Sequence, residues 1–95
     1  MASIIVRVPA QLRVLTGGTG EIPVSDVSTV GEVLKHLTVD YSELGSRIFD
    51  EEGNVRRFVN VFVADEDIRF NGGLECPVAD GQVVSIVPAV AGGAS

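Results

Sequence analysis

The sequence of 95 residues is poor in the residues that cross-links, metal sites and catalytic groups require. It has one cysteine and one histidine and lacks tryptophan. A lone cysteine forms no intrachain disulfide, and a thiolate zinc site or an iron–sulfur cluster takes about four ligands. No paired nucleophile and base can be found either. We therefore expect a protein that is not an enzyme and binds no metal or cofactor, with His36 at the surface and Cys76 as a packed thiol.

Basic residues are also few. Seven Lys and Arg stand against thirteen Asp and Glu, which gives a net charge of -6. Because proteins neutralise phosphates with clustered Lys and Arg, this balance indicates no nucleic-acid partner. The acidity is equally consistent with a protein partner that has a basic docking face and with solubility alone.

Long hydrophobic runs are missing as well. No segment approaches the ~20 apolar residues that span a bilayer. Residues 1–7 lack the basic, apolar and small-residue regions of a secretory signal. We therefore expect a cytoplasmic protein with no membrane partner, and the length fits one domain.

What the sequence does contain is a pattern of short strands around one main helix. Ile4, Val6 and Val8 share one face of a first predicted strand, which is rich in β-branched residues. The glycine-rich residues 16–20 predict a turn. A second strand over residues 21–24 is then expected to return beside the first.

The main helix is predicted from a capping box, in which Thr29 is followed three residues later by Glu32. Apolar residues then recur at helical spacing, namely Val30, Val33, Leu34 and Leu37. A second, shorter helix is predicted between residues 41 and 49, before a polar loop at residues 50–54.

The second half of the chain predicts further strands. Residues 58–63 form the strongest strand pattern, and because both of its faces are largely apolar we expect it at the centre of the sheet. A short strand is predicted over residues 68–70. The last strand covers residues 83–87 and ends at Pro88, since proline cannot donate a backbone hydrogen bond.

The order β-β-α-β-β-β predicts an α+β fold of the β-grasp (ubiquitin-like) type. Such a fold has a mixed sheet of about five strands with one main helix across one face. We expect residues 1–88 to form this domain and residues 89–95 to form a flexible C-terminal tail that carries Gly92 and Gly93.

The glycine pair makes the tail a candidate functional segment. Glycines lack side chains, so this backbone can enter a narrow channel and approach a reaction centre in another protein. An extended chain from Val87 to Gly93 reaches roughly 20 Å at ~3.3–3.6 Å per residue. The alternative is that Gly, Ala and Ser here form an ordinary flexible terminus.

Residues 57–93, RFVNVFVADEDIRFNGGLECPVADGQVVSIVPAVAGG, resemble the second half of the ThiS/MoaD group of sulfur carriers, which are relatives of ubiquitin. The resemblance extends over nearly the whole chain. The segments FVNVFVADEDIRF and VADGQVVSIVPAVAGG carry most of its specificity. Within the group, the chain resembles the carriers of bacterial cysteine biosynthesis and of natural-product pathways.

The resemblance implies that the carboxylate of Gly93 is the site of sulfur attachment, with Val90, Ala91 and Gly92 as the tail before it. An E1-like enzyme of the ThiF/MoeB type would adenylate this carboxylate with ATP. Sulfide or a persulfide would then displace AMP and leave a thiocarboxylate. The sulfur would pass to a second partner, a cysteine synthase-like or other biosynthetic enzyme.

The sequence departs from this family pattern after Gly93. Ala94 and Ser95 follow it, so the carboxyl group of Gly93 is held in a peptide bond and cannot be adenylated. Either a peptidase cleaves between Gly93 and Ala94 or the two residues come from cloning. We expect cleavage, for which the family resemblance implies a JAMM-type zinc metallopeptidase.

Recognition by these partners must come from the folded body. By strand alternation Phe58, Asn60 and Phe62 share one face, opposite Val59 and Val61. We expect this face to form part of an exposed apolar docking patch beside the tail. The alternative is that the two phenylalanines pack under the helix.

Three classes of function remain open on the sequence. A sulfur carrier is the first, and a ubiquitin-like modifier that joins Gly93 to lysines is the second. Both need the same activation, so only the product distinguishes them. The third is a β-grasp interaction module with an inert tail.

Overall fold

The computed structural model describes residues 2–88, and Met1 and residues 89–95 lie outside the described residues. Its strands are β1 (Ala2–Arg7), β2 (Glu21–Val27), β3 (Val59–Val63), β4 (Glu66–Asp67) and β5 (Val83–Pro88). They form one sheet in the order β2-β1-β5-β3-β4. β1 and β5 run parallel and the other neighbouring strands antiparallel. The mixed five-stranded sheet confirms the predicted β-grasp fold.

β1 and β2 form an antiparallel hairpin in which the predicted facing of side chains is confirmed. Ile4, Val6 and Val8 are all buried. The connection between the strands contains an element that the sequence pattern did not predict. A 3₁₀ helix, Ala10–Thr16, precedes the glycine-rich turn. Gly17 then adopts a φ of 68°, which glycine accepts without steric cost.

Two helices, α1 (Val30–Asp40) and α2 (Ser42–Ile48), follow β2. The capping box is present, since the Thr29 hydroxyl accepts a hydrogen bond from the backbone N–H of Glu32 at 3.3 Å. The Glu32 carboxylate accepts from the backbone N–H of Ser28 at 2.6 Å, one residue before the cap. All four predicted apolar residues of α1 are buried, which confirms its predicted face. Within residues 2–88, no helix is long and apolar enough to cross a membrane.

The core lies between the two helices and one face of the sheet. Burial of its apolar side chains is the main driving force for folding. The fully buried side chains with the largest volumes are Leu34, Leu37, Leu44, Ile48, Val6, Val8, Val27, Val30, Val33, Val61 and Val84.

β3 is an interior strand, and the prediction that it lies at the centre of the sheet is wrong. β5 is the middle strand, with β1 on one side and β3 on the other. The outer neighbour of β3 is β4, which has two residues. Burial alternates along β3, and Phe62 lies on the face of the sheet that the helices do not cover.

The predicted strand over residues 68–70 is also wrong. Ile68–Phe70 forms a 3₁₀ helix, and the strand is the preceding pair Glu66–Asp67. The Asp67 carboxylate accepts a hydrogen bond from the backbone N–H of Arg69 at 2.9 Å. This local side-chain bond competes with strand pairing and starts the turn. A further 3₁₀ helix, Gly73–Glu75, follows.

Candidate functional site

The structure places two of the three predicted docking residues, Asn60 and Phe62, on the face of the sheet away from the helices. Val59 and Val61 are buried in the core, whereas Asn60 and Phe62 lie on the opposite face of β3 and are half-buried. Phe58 precedes the strand and is 61% exposed. Neither phenylalanine is therefore buried under the helices, although Phe58 borders α2 at the surface. Docking at this face remains a prediction.

The uncovered face of the sheet has an apolar centre. Phe62 lies opposite Ser85 of β5, and Asn60 lies opposite Val87, which is 43% exposed. The parallel register places Ile5 beside Val83 on the same face. We call this surface the open face and define its apolar part by Ile5, Phe62, Val83 and Val87.

Ion pairs border the open face on two sides. Arg7 and Glu21 form a cross-strand pair with an N–O distance of 3.7 Å. On the other side the Arg69 guanidinium lies 3.9 Å from the Asp67 carboxylate and donates one hydrogen bond to the side-chain oxygen of Asn60. An apolar centre with a charged border is the usual arrangement of a protein docking surface.

The tail begins beside Phe58. Pro88, the last residue of β5, pairs with Val59 at the start of β3. Phe58 and Pro88 line one groove together with Leu12, Ser46, Arg47, Arg56 and Val59. A partner that binds the tail close to Pro88 could therefore also contact the Phe58 ring.

The predicted residues of the tail lie outside the described residues. Val90, Ala91, Gly92, Gly93 and Ala94 are among them. The predicted length of the tail, the attachment of sulfur to Gly93 and the cleavage between Gly93 and Ala94 therefore remain predictions. The structure fixes only the point at which the tail starts, at the end of the middle strand.

His36 and Cys76 lie where the sequence predicts. His36 is exposed on α1, and Cys76 is buried. Burial, and then the charge of Glu66, raise the pKa of the Cys76 thiol above its usual value. The backbone carbonyl of Cys76 accepts a hydrogen bond from the N–H of Val30 at 2.9 Å, so this loop is tied to the start of α1. Among residues 2–88, no group of three or more His, Cys, Asp or Glu side chains is placed to hold a metal ion.

Sequence reasoning did not identify the groove around Pro88. Leu12 comes from the 3₁₀ helix, Arg47 from α2 and Arg56 from the loop before β3, so the groove exists only after these segments pack together. Val87 and Ile5 of the open face could have been found, because strand alternation alone places them opposite the buried set.

A mixed five-stranded sheet, covered by helices on one face and followed directly after its middle strand by a tail with a glycine pair, defines a ubiquitin-like β-grasp protein. The chain belongs to the ThiS family, whose family model matches residues 6–93. The matched segment ends at Gly93, and Ala94 and Ser95 lie beyond it.

Relatives and solved structures confirm the resemblance to sulfur carriers. The chain is 44% identical over 93 residues to the sulfur carrier protein CysO of Mycobacterium tuberculosis, covering 96% of this chain and 99% of that protein. It is 39% identical over 70 residues to small archaeal modifier protein 3 of Haloferax volcanii, covering 74% of this chain and 75% of that protein. A chain of the crystal structure of the Amycolatopsis orientalis BexX/CysO complex matches with a TM-score of 0.84 at 40% identity, covering 93% of this chain and 97% of that chain.

Proposed function

We propose that this chain is a sulfur carrier that holds sulfur as a thiocarboxylate on Gly93. The observation that carries the proposal is the 44% identity to a sulfur carrier protein over 96% of the chain. The ThiS family match that runs through to Gly93 supports the same residue as the attachment point. In this function the chain is a protein co-substrate and not an enzyme.

The chemistry requires activation of the Gly93 carboxylate, because a free carboxylate is a poor electrophile. A carboxylate oxygen attacks the α-phosphorus of ATP and pyrophosphate leaves, which gives an acyl-adenylate. The sulfur of sulfide or of a persulfide then attacks the acyl carbon, and AMP leaves with the bonding electron pair. With a persulfide, a thiol reductant must afterwards cleave the remaining S–S bond to release the thiocarboxylate. We assign the activation to an E1-like enzyme of the ThiF/MoeB type.

The second partner is a biosynthetic enzyme that takes the sulfur. The Amycolatopsis CysO protein that this chain resembles has been solved in a complex with BexX, which supports a direct docked complex here as well. A cysteine synthase-like enzyme or another biosynthetic enzyme would use the same thiocarboxylate. We further propose a cytoplasmic location, where the ATP needed for activation is available.

Removal of Ala94 and Ser95 is the step that would free the reactive group. Hydrolysis of the peptide bond between Gly93 and Ala94 adds water and releases the Gly93 carboxylate together with the dipeptide. We assign this step to a JAMM-type metallopeptidase. The glycine pair supports the assignment, because a backbone without side chains fits a narrow peptidase cleft.

Conjugation to other proteins is the second candidate function. The 39% identity to small archaeal modifier protein 3 favours it. In that case the activated carboxyl carbon of Gly93 is attacked by a lysine amine, and an isopeptide bond forms. An interaction module with an inert tail is the remaining class.

The intact mass of the untagged protein from its native host tests the proposal. A carrier gives a mass that ends at Gly93 with one oxygen replaced by sulfur. Conjugates of higher mass that contain Gly93 linked to lysine would establish the modifier function instead. An unmodified full-length mass contradicts both functions if it persists after incubation with the activating enzyme, ATP, a sulfur source and the peptidase.

A further inference from the structure

The basic residues of this acidic protein are unevenly placed. Arg47, Arg56 and Arg57 are three of the seven Lys and Arg in the chain, and all three lie around the start of β3. We call them the tail-root arginines, because Val59 at the start of β3 pairs with Pro88, the last residue before the tail. Arg47 and Arg56 line the same groove as Pro88.

A second recess lies on the other side of Arg56. Its walls include Arg56, Arg57 and Arg69, and its floor includes the core residues Val59 and Val61. Its volume of about 230 Å³ is below that of most small-molecule sites, which are roughly 300–1,000 Å³. The recess therefore fits a side chain of a partner protein better than a free metabolite.

Backbone contacts hold the tail-root arginines in place. The backbone N–H of Arg56 donates to the carbonyl of Ile48 at 2.7 Å, and its guanidinium Nε donates to the carbonyl of Ser46 at 3.1 Å. Arg47 lies in the last turn of α2, where a cation interacts favourably with the helix dipole. These contacts account for the positions of two arginines and involve no carboxylate.

None of the tail-root arginines forms a direct ion pair within the described part of the chain. The ion pairs found among residues 2–88 are Arg7–Glu21 and Arg69–Asp67, and the tail-root arginines are in neither. An acidic loop at residues 50–52 borders Arg56. In that loop the Asp50 carboxylate accepts hydrogen bonds from the backbone N–H groups of Glu52 and Asn54.

We propose that the tail-root arginines dock against an acidic rim around the channel through which the activating enzyme receives the tail. The inference rests on the proposed sulfur-carrier function. A body with a net charge of -6 is repelled by an acidic surface in most orientations. The orientation that presents the tail-root arginines is the favourable one, and it brings the tail to the channel first.

Charge reversal of Arg57 tests this inference, with Lys35 as the matched control. Both side chains are exposed, neither is in an ion pair within residues 2–88, and reversal changes the net charge equally. The assay is ATP–pyrophosphate exchange by the native activating enzyme with the chain ending at Gly93 as substrate. Arg57→Glu should raise the KM for the carrier about tenfold and leave kcat unchanged, because rim charges act mainly on association. Lys35→Glu should raise the KM much less, because it adds the same overall negative charge away from the tail-root arginines.

The salt dependence of KM gives a second readout. The KM of the wild-type carrier should rise with ionic strength, and this rise should be weaker for Arg57→Glu. Equal KM values for Arg57→Glu and Lys35→Glu would overturn the docking inference and leave the carrier function intact. If the wild-type chain supports no exchange at all, the proposed function fails and the inference fails with it. Thermal unfolding of both variants confirms that they are folded.

Discussion

The two-residue turn between β3 and β4 consists of residues that fit its backbone poorly. Ala64 has a φ of 51° and Asp65 a φ of 70°. Two-residue hairpins with two positive φ angles prefer Asn-Gly, since most side chains clash with the backbone there. This turn therefore stores strain at the residue scale, next to the hydrogen bond from the Ala64 N–H to the Val83 carbonyl.

Ala64→Asn should stabilise the protein by about 0.5–1 kcal/mol, because asparagine tolerates positive φ better than alanine. Urea denaturation measures the change in the free energy of unfolding. Ala79→Asn is the control, since Ala79 is also exposed but does not have a positive φ. An equal effect of both substitutions would show that the turn is not strained.

The Cys76 thiol should be unreactive in the folded protein. Burial, assisted by the charge of Glu66, raises its pKa, so little thiolate forms at pH 8. Iodoacetamide should therefore label the folded chain far more slowly than the chain unfolded in urea, as followed by mass spectrometry. Labelling at the same rate in both states would contradict the burial of the thiol.

The raised pKa of the Cys76 thiol also makes the free energy of unfolding depend on pH in the alkaline range. Well below about pH 8.5, the usual pKa of a cysteine thiol, Cys76 is protonated in both the folded and the unfolded state, so it does not make the free energy of unfolding depend on pH. Above that value the unfolded chain loses the proton first, so stability falls as the pH rises towards the folded pKa. Cys76→Ala should remove this fall.

At the scale of elements, α1 and α2 pack together at a position that only glycine fits. A Cβ atom on Gly45 would lie 2.6 Å from Thr38 Oγ1 and 2.9 Å from Thr38 Cβ. Thr38 is β-branched, and its hydroxyl already donates to the Leu34 carbonyl at 3.0 Å. The neighbouring side chain therefore has little freedom to move away.

Gly45→Ala should destabilise the protein by about 1–3 kcal/mol, the usual cost of an overpacked contact. Helix propensity alone predicts the opposite sign, a gain of about 1 kcal/mol. The free energy of unfolding in urea measures which effect dominates. In the background Thr38→Gly all three close side-chain atoms of Thr38 are absent, so there Gly45→Ala should be neutral or stabilising. Destabilisation in both backgrounds would contradict the assignment.

The elements themselves could be predicted where periodicity and capping agree. Alternation placed the buried residues of β1, and Thr29 with Glu32 marked the start of α1. The prediction of a strand at residues 68–70 was wrong because the Asp67 side chain caps a 3₁₀ helix there. The 3₁₀ helix at residues 10–16 has three residues per turn and too few turns to show an apolar period.

At the scale of the whole molecule, the open face and the buried face of β3 should respond differently to truncation. Phe62→Ala should lower the free energy of unfolding by at most about 1 kcal/mol, because the ring is half-buried on the uncovered face, while docking to the activating enzyme weakens. Val61→Ala is the control from the adjacent core position and should cost about 2 kcal/mol.

Urea denaturation gives both stabilities, and titration calorimetry with the activating enzyme gives both affinities. Val61→Ala should leave the affinity unchanged at temperatures where it is folded. A loss of several kcal/mol for Phe62→Ala would assign Phe62 to the core instead, and an unchanged affinity would exclude it from the docking surface.

The candidate site could be predicted from sequence only in part. Phe58, Asn60 and Phe62 follow from strand alternation, which depends on local sequence alone. The tail-root arginines could not be predicted as a group. Arg47 belongs to α2 and Arg56 to the loop before β3, and only the packing of these segments beside Pro88 brings them together.

The position of β5 has a consequence for how the protein is made. β5 is the last described strand along the chain, yet it joins β1 to β3 in the middle of the sheet. On the ribosome, the β1–β2 hairpin and the β3–β4 hairpin are therefore synthesised before the strand that unites them. The nascent chain completes its sheet only after residue 88 has emerged. The segment that contains the glycine pair is therefore translated directly after the strand that completes the sheet.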